Sequence, residues 1–75
     1  MKWKVGNFEL EATNTKRGRD VIWSLFHCGD YQGTVYREQI PASYRFVSKA
    51  DSRFSNFEVQ GTRDALIRKL EALDG

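Results

Sequence analysis

The apolar positions near the start of the chain fall into two different phases. Trp3 and Val5 occupy odd positions, whereas Phe8 and Leu10 occupy even ones, so one straight strand would put the two pairs on opposite faces. Gly6-Asn7 separates them and is a two-residue turn signal. A hairpin that turns there gives one apolar face and one charged face, and it pairs Val5 with Phe8, Lys4 with Glu9, Trp3 with Leu10 and Lys2 with Glu11.

A nearly continuous apolar run follows at VIWSLFHC, residues 21–28. Its β-branched and aromatic residues predict a strand that is covered on both faces, or one with an apolar exposed face. Gly29-Asp30 is a second turn signal of the Gly-first kind. Gly33 in the returning strand predicts a bulge or a close approach to a neighbour. The predicted register places Cys28 opposite Tyr31, Leu25 opposite Thr34 and Trp23 opposite Tyr36.

The remaining turn and helix signals complete a strand meander that ends in a helix. Residues 13–20, TNTKRGRD, are polar and without periodicity, which predicts a loop. Pro41-Ala42 predicts a turn, and residues 44–49 alternate cleanly. The closing TRDALIRKLEALDG has apolar residues at helical spacing after a threonine suited to the N-cap. These are Leu66, Ile67, Leu70 and Leu73.

These elements predict an α+β fold in a single domain spanning residues 1–75. Its antiparallel meander of about five to six strands is packed on one face by the C-terminal helix. The predicted strands are about 2–5, 8–12, 21–28, 31–40, 44–49 and 54–60, and the predicted helix is about 63–73.

Composition narrows the class of protein. The 75 residues are 40% hydrophobic and 29% charged, which is globular composition, and the formal charge of +2 requires no anionic partner. One cysteine excludes an internal disulfide and a thiolate-cluster zinc site, and it favours a reducing, cytoplasmic setting. The first ten residues lack the apolar core of a signal peptide, and no apolar run approaches the length of a membrane helix.

Catalytic chemistry has little support in the sequence. His27-Cys28 is the one nucleophile–base pair by composition, but neighbours on a strand point to opposite faces. We expect a buried thiol and a partly exposed imidazole, no metal and no cofactor. An enzyme would require a deep pocket that holds His27 beside a carboxylate.

The aromatic residues suggest an interaction surface instead. Eight of the ten aromatic residues exceed what one helix covers if they divide between both sheet faces. They are Trp23, Phe26, Tyr31, Tyr36, Tyr44, Phe46, Phe54 and Phe57. Tyr and Arg are typical interface anchors. The candidate protein-binding residues are Tyr31, Tyr36, Arg37, Tyr44 and Arg45.

The alternative is nucleic-acid binding through a basic loop and the sheet face. The residues that would carry it are Lys16, Arg17, Arg19, Arg37 and Arg45. The ending F-x-V-x-G-T-x-x-A-L-x-x-K-L is generically similar to the strand–helix ending of small phage and mobile-element proteins and of integrase arm-type DNA-binding domains, and it assigns no family.

The sequence therefore predicts a small non-enzymatic protein-binding module, a regulator or inhibitor that acts through its exposed sheet face. Its expected partner is another protein, with a homodimer as one form of that contact; nucleic acid is the alternative partner, and no membrane is expected.

Overall fold

A computed structural model describes residues 2–17, 20–39 and 41–74. They form one antiparallel sheet whose spatial order follows the chain, β1-β2-β3-β4-β5-β6, followed by one helix. The predicted fold class, an α+β meander closed by a C-terminal helix, is confirmed. The strands are β1 (Lys2–Val5), β2 (Phe8–Arg17), β3 (Asp20–His27), β4 (Asp30–Gln39), β5 (Ala42–Ser48) and β6 (Phe57–Gln60), and the helix is α1 (Arg63–Asp74).

Helix α1 contacts both β1 and β6, which are the two edge strands. A flat sheet of six strands would separate its edges by about 24 Å at the usual strand spacing, whereas a helix is only about 10–12 Å across. The sheet therefore curls around the helix, with a concave inner face and a convex outer face.

The first hairpin has the predicted register. Val5 pairs with Phe8 and Trp3 with Leu10, and Gly6 has a φ of 59° at the turn. A left-handed φ at the first turn position is the conformation that glycine supplies at least cost. The phase change in the sequence is therefore a chain reversal.

The predicted loop over residues 13–20 is wrong for most of its length. β2 continues to Arg17, and Lys16 pairs with Val21 after an irregularity that begins at Ala12. β1 reaches only as far as Glu11 along this strand. Residues 13–17 carry no apolar alternation in the sequence, and the pairing of this end of β2 with β3 is what the sequence pattern did not reveal.

The hairpin between β3 and β4 also differs from the prediction. Its two-residue turn is Cys28-Gly29, with φ values of 53° and 86°, the double positive φ of a type I′ turn. Glycine is the second residue of that turn, not the first. A bulge then shifts the register, because Leu25 pairs with Gly33 while its neighbour Phe26 pairs with Tyr31.

Gly33 adjusts the backbone at this bulge, as its place in the strand predicted. Its φ is 151°, and a side chain there would collide with the carbonyl oxygen of Val47 and lie 2.8 Å from Cε1 of Phe46. The extra residue of the bulge is Gln32, whose carbonyl accepts a hydrogen bond from the amide of Lys49. The bulge therefore fits β4 closely against β5.

The last strand is shorter than predicted, because β6 begins at Phe57 and not at 54. Phe54 lies in the connection after β5 and is nevertheless buried, with its ring 5.1 Å from those of Phe8 and His27. The segment after β5 first packs Phe54 against Phe8 and His27, and it pairs with β5 only from Phe57 onward. This detour explains the opposite parity of Phe54 and Phe57.

The core fills the concave side of the sheet. Leu66 and Leu70 of α1 have no exposed surface and meet the inward residues of the strands. The guanidinium of Arg63 lies 4.3 Å from the Trp3 ring on β1, and the ammonium of Lys69 lies 5.4 Å from the Phe57 ring on β6. Cations of the helix thus cover aromatic rings on both edge strands. The buried strand residues are Val5, Phe8, Leu10, Leu25, Val35, Tyr44 and Phe46.

The bulge makes a direct prediction for two glycines. Gly33→Ala should lower the free energy of unfolding by more than Gly29→Ala, since both positions have positive φ but only Gly33 faces other atoms. We expect about 1–2 kcal/mol of backbone strain at Gly29 and a clearly larger loss at Gly33, measured by urea unfolding. Equal losses would contradict the close approach to Val47.

Candidate functional site: the outer face of the sheet

The convex face, which lies away from the helix, carries an apolar strip along its middle strands. We call its five residues the outer strip: Ile22, Phe26, Tyr31, Tyr36 and Val47. Tyr31 and Val47 are 40% and 39% exposed, and they are the large hydrophobic residues most open to solvent in the described part of the chain. The other three are half-buried. Ser24 and Thr34 separate the Phe26–Tyr31 pair from the Ile22–Tyr36 pair along the strip. Exposed apolar residues grouped on one face of a small protein are typical of an interaction surface.

The bulge in β4 decides which tyrosines belong to this strip. Tyr36 pairs with Ile22, and Tyr31 pairs with Phe26. Without the extra residue Gln32, an odd and an even position on one strand would face opposite sides of the sheet. The bulge therefore brings both tyrosines to the outer face.

Contacts within the strip hold its side chains against one another. The rings of Phe26 and Tyr31 meet edge to face with centroids 5.8 Å apart, and the Tyr31 hydroxyl lies 3.1 Å from Oγ1 of Thr34. The guanidinium of Arg45 lies 5.4 Å from the Tyr36 ring. Side chains fixed in this way lose less conformational entropy on binding than free ones.

Charged residues flank the strip on both sides. On the β1–β2 side, Lys2 and Glu9 approach to 3.8 Å, diagonal to the predicted cross-strand pairs, and Glu11 has no ion pair within the described residues. On the β5 side, Arg45 is exposed and no carboxylate that the structure describes lies within ion-pair distance of it. Lys4 lies beside Glu9 on the first flank and the exposed Glu58 is the cross-strand partner of Arg45 on the second, so both flanks carry charges of both signs.

The structure divides the predicted protein-binding residues. Tyr31, Tyr36 and Arg45 lie together on the outer face. Tyr44 does not, because its pairing with Val59 and Arg37 puts it in the inner phase, where it is 7% exposed. Clean alternation on β5 correctly separated Tyr44 from Arg45 but did not identify which of them faced the helix.

Arg37 is exposed at the far end of β4, where it lines a shallow pocket with Tyr44 and Arg63. It is therefore separate from the outer strip. Three strip residues were absent from the predicted site: Ile22, Phe26 and Val47. On β5 the alternation with the buried Phe46 indicated the phase of Val47, whereas the nearly continuous apolar run of β3 indicated no phase for Ile22 and Phe26.

The predicted basic set is not gathered on one face. Arg45 projects from the outer face and Arg37 has the phase of the inner one. The backbones of Lys16 and Arg17 form the end of β2, but their side chains, and the whole of Arg19, lie outside the described residues.

A polar cluster joins the C-terminal end of α1 to the end of the sheet that carries the β1–β2 and β3–β4 turns. Nε2 of His27 lies 3.0 Å from Oδ1 of Asp74, and the backbone amide of Asn7 donates to Oδ2 at 3.1 Å. An ionised carboxylate only accepts hydrogen bonds, so the imidazole donates from Nε2. These bonds hold the pKa of Asp74 below its usual range, with the His27 bond as the largest cause and the Asn7 amide next.

His27 and Cys28 have the reverse of their predicted exposure. The imidazole is 9% exposed and its ring packs against Phe8 and Phe54, while Cys28 is exposed in the turn. The register shift explains the exchange, because the strand ends at His27 and not at Cys28. No hydrogen bond joins these two side chains in the part of the chain described, so the His27–Asp74 pair ties the fold together without activating the thiol.

Within residues 2–17, 20–39 and 41–74, no group of three or more His, Cys, Asp or Glu side chains is arranged to hold a metal ion. The one described helix is too short and too polar to cross a membrane. Comparison of the chain with protein-family models, curated proteins and solved structures gives no significant match.

The polar cluster predicts the acid sensitivity of the fold. The lowered pKa of Asp74 means that its bonds stabilise the protein above the carboxyl's ordinary value of 3.8 and are lost as the pH falls through the folded value. Asp74→Asn should reduce stability at neutral pH and flatten the decline of the unfolding midpoint towards about pH 2.

The matched control is Asp30→Asn, since the exposed Asp30 side chain makes no hydrogen bond or ion pair with the described residues. An acid decline as steep in Asp74→Asn as in the unaltered protein would rule out this role for the carboxylate.

Proposed function

We propose that the chain is a small non-enzymatic protein-binding module that acts in the cytoplasm as a regulator or inhibitor through its outer sheet face. The observation that carries the proposal is the outer strip, whose five apolar residues remain accessible on the face that the helix does not cover. Because the inner face is filled by Leu66, Leu70 and the inward strand residues, the outer face is the broad surface left for a partner.

The composition of this face suits protein recognition. Tyrosine, phenylalanine and arginine are enriched at the centres of protein interfaces. Here Tyr31 and Tyr36 supply large rigid rings, and Arg45 is already stacked on one of them. Polar and charged residues on β2 and β5 would form the rim around the strip.

His27 does not favour an enzyme, although it stands beside a carboxylate. The imidazole donates to Asp74 and packs between two phenylalanine rings, so a substrate has no route to it without local opening. The exposed Cys28 lacks a hydrogen-bonded base among the described residues, which a catalytic thiol would need.

Site-specific photo-crosslinking tests the proposal. A crosslinking amino acid at Val47 should capture a protein in cells that produce the chain, while the same amino acid at Arg53, which is exposed but off the outer face, should not. Capture should survive nuclease and fall by about tenfold with Tyr36→Ser, which removes a large anchor ring. Equal capture from Val47 and Arg53, or none from Val47, would refute binding through this face.

Nucleic-acid binding is the second candidate function, and one observation favours it. Arg37 and Arg63 line the same pocket at the end of the sheet where β2 brings the backbones of Lys16 and Arg17. Phosphate contacts by such residues would make the affinity fall steeply with salt.

Titration with random single- and double-stranded oligonucleotides separates the two candidates. If the basic end binds nucleic acid, affinity should fall by at least about tenfold between 50 and 200 mM salt and should weaken with Arg37→Ala. Absence of binding at low salt would remove this candidate and leave the outer-face proposal unaffected.

A further inference from the structure

We propose that the pocket between the start of α1 and the adjoining ends of β4 and β5 binds a phosphate monoester through Arg37, Arg63 and the hydroxyl of Tyr44. This inference goes beyond the function proposed for the outer face, because these three residues lie away from the outer strip. It also differs from the nucleic-acid candidate, since it concerns one terminal phosphate group held in a pocket and not the phosphodiesters along a strand.

The pocket is formed where the chain passes from the sheet into the helix. Its volume is about 430 Å³, which is in the range of small-molecule sites. β4 supplies Arg37 and β5 supplies Tyr44, while α1 supplies its first residue, Arg63. The amide of Gly61 donates to the carbonyl of Ala42 at 2.8 Å. This bond holds the start of the helix beside β5 and fixes the shape of the pocket.

Tyr44 is the residue that points to a ligand. It is 7% exposed and lines the pocket, and its hydroxyl makes no hydrogen bond with any residue that the structure describes. The enclosed side-chain polar atoms without a partner are the indole nitrogens of Trp3 and Trp23, so the Tyr44 hydroxyl keeps some accessible surface. A hydroxyl on a side chain this deeply buried usually has a partner, and an oxygen atom of a bound ligand would supply one.

The two arginines provide the charge that an anion requires. Arg37 pairs with Tyr44 across β4 and β5, so their side chains leave the sheet on the same face. The guanidinium of Arg63 lies 4.3 Å from the Trp3 ring. Stacking occupies the flat face of a guanidinium and leaves the N–H groups at its edge to bind two phosphate oxygens. Neither arginine has an ion pair with a carboxylate among the described residues.

The start of α1 adds backbone donors on the same side of the pocket. The amide of Ala65 donates to the carbonyl of Thr62, but the amides of the first helical residues have no acceptor within the helix. Such amides, together with the helix dipole, favour a bound anion. Asp64 is the acidic residue of this first turn, but it is exposed and does not line the pocket.

One carboxylate opposes the arginines. Glu38 also lines the pocket, although its pairing with Ser43 gives it the opposite phase from Arg37 on β4. The lining therefore carries two positive charges and one negative charge. Neutralising Glu38 should strengthen the binding of an anion, whereas it would weaken the binding of a cation.

Titration with inorganic phosphate, followed by amide NMR spectra at an ionic strength held constant with sodium chloride, tests the inference. Saturable shifts should appear at the amides of residues 61–64, with a dissociation constant of about 1 mM. Phenyl phosphate should bind more tightly, because the pocket has room for the attached group. Tyr44→Phe should weaken phosphate binding by roughly fivefold, and it should leave the urea midpoint unchanged because the lost hydroxyl has no partner in the fold.

The charge variants are matched in pairs. Arg37→Gln should weaken phosphate binding by roughly tenfold, whereas Arg53→Gln removes an exposed charge from the β5–β6 connection and should leave it unchanged. Glu38→Gln should tighten binding. Tyr36→Phe is the control for Tyr44→Phe, since it removes a tyrosine hydroxyl from the outer face.

Three results would overturn the inference. The first is an absence of saturable shifts, or shifts that sodium chloride alone reproduces. The second is a folded Tyr44→Phe or Arg37→Gln variant that binds phosphate as tightly as the unaltered chain. The third is equal binding of an oligonucleotide without a terminal phosphate, which would assign the pocket to the nucleic-acid candidate. None of these results alters the outcome of crosslinking from Val47, so the proposed function of the outer face is tested separately.

Discussion

The structure depends on one helix covering a sheet that is wider than the helix itself. Two leucines, Leu66 and Leu70, anchor α1 against the inner residues, but they alone would leave the outermost strands uncovered. Curling brings both edges to the helix, where Arg63 covers Trp3 and Lys69 covers Phe57. A small domain buries only about 60% of the surface its unfolded chain exposes, and the buried hydrophobic residues of the described strands all lie on the inner face. The convex face is left with apolar residues that the fold itself does not cover.

A polar contact holds the C-terminal end of α1, although the helix dipole alone would disfavour an acidic side chain there. Asp74 is in the last turn of α1, where the helix dipole disfavours a negative charge. His27 and the amide of Asn7 compensate by donating to both carboxylate oxygens. A side chain at Gly6 would collide with the same carboxylate. The glycine thus serves both the turn and the approach of the helix, which links the first hairpin to the last residues of the chain.

The sequence was most informative where local and tertiary signals agreed. The hairpin at Gly6-Asn7 was predicted in register because the turn signal, the apolar phase change and the cross-strand charges all required the same pairing. The leucines of α1 were predicted from their spacing alone. Both cases concern residues that are close in sequence, so few alternative arrangements compete.

The errors have a common physical origin in long-range contacts. The turn at Cys28-Gly29 is coupled to a bulge whose form depends on β5, since the carbonyl of Gln32 accepts the amide of Lys49. Residues 13–17 form a strand because β3 pairs with them, although their own pattern carries no apolar alternation. The burial of Phe54 depends on His27 and Phe8, which are more than twenty residues away. None of these partners can be identified from a local window of sequence.

The bulge in β4 also connects the core to the candidate site. On the inner side, Gly33 lets the backbone approach Val47 and the ring of Phe46 more closely than any other residue would allow. On the outer side, the same irregularity reverses the parity of β4 and aligns Tyr31 with Tyr36. Sequence analysis selected both tyrosines by residue type, but a regular strand would have put them on opposite faces. Both tyrosines therefore lie on the outer face because of a backbone requirement of the core, and a chain that lost the bulge would lose part of the core and the surface together.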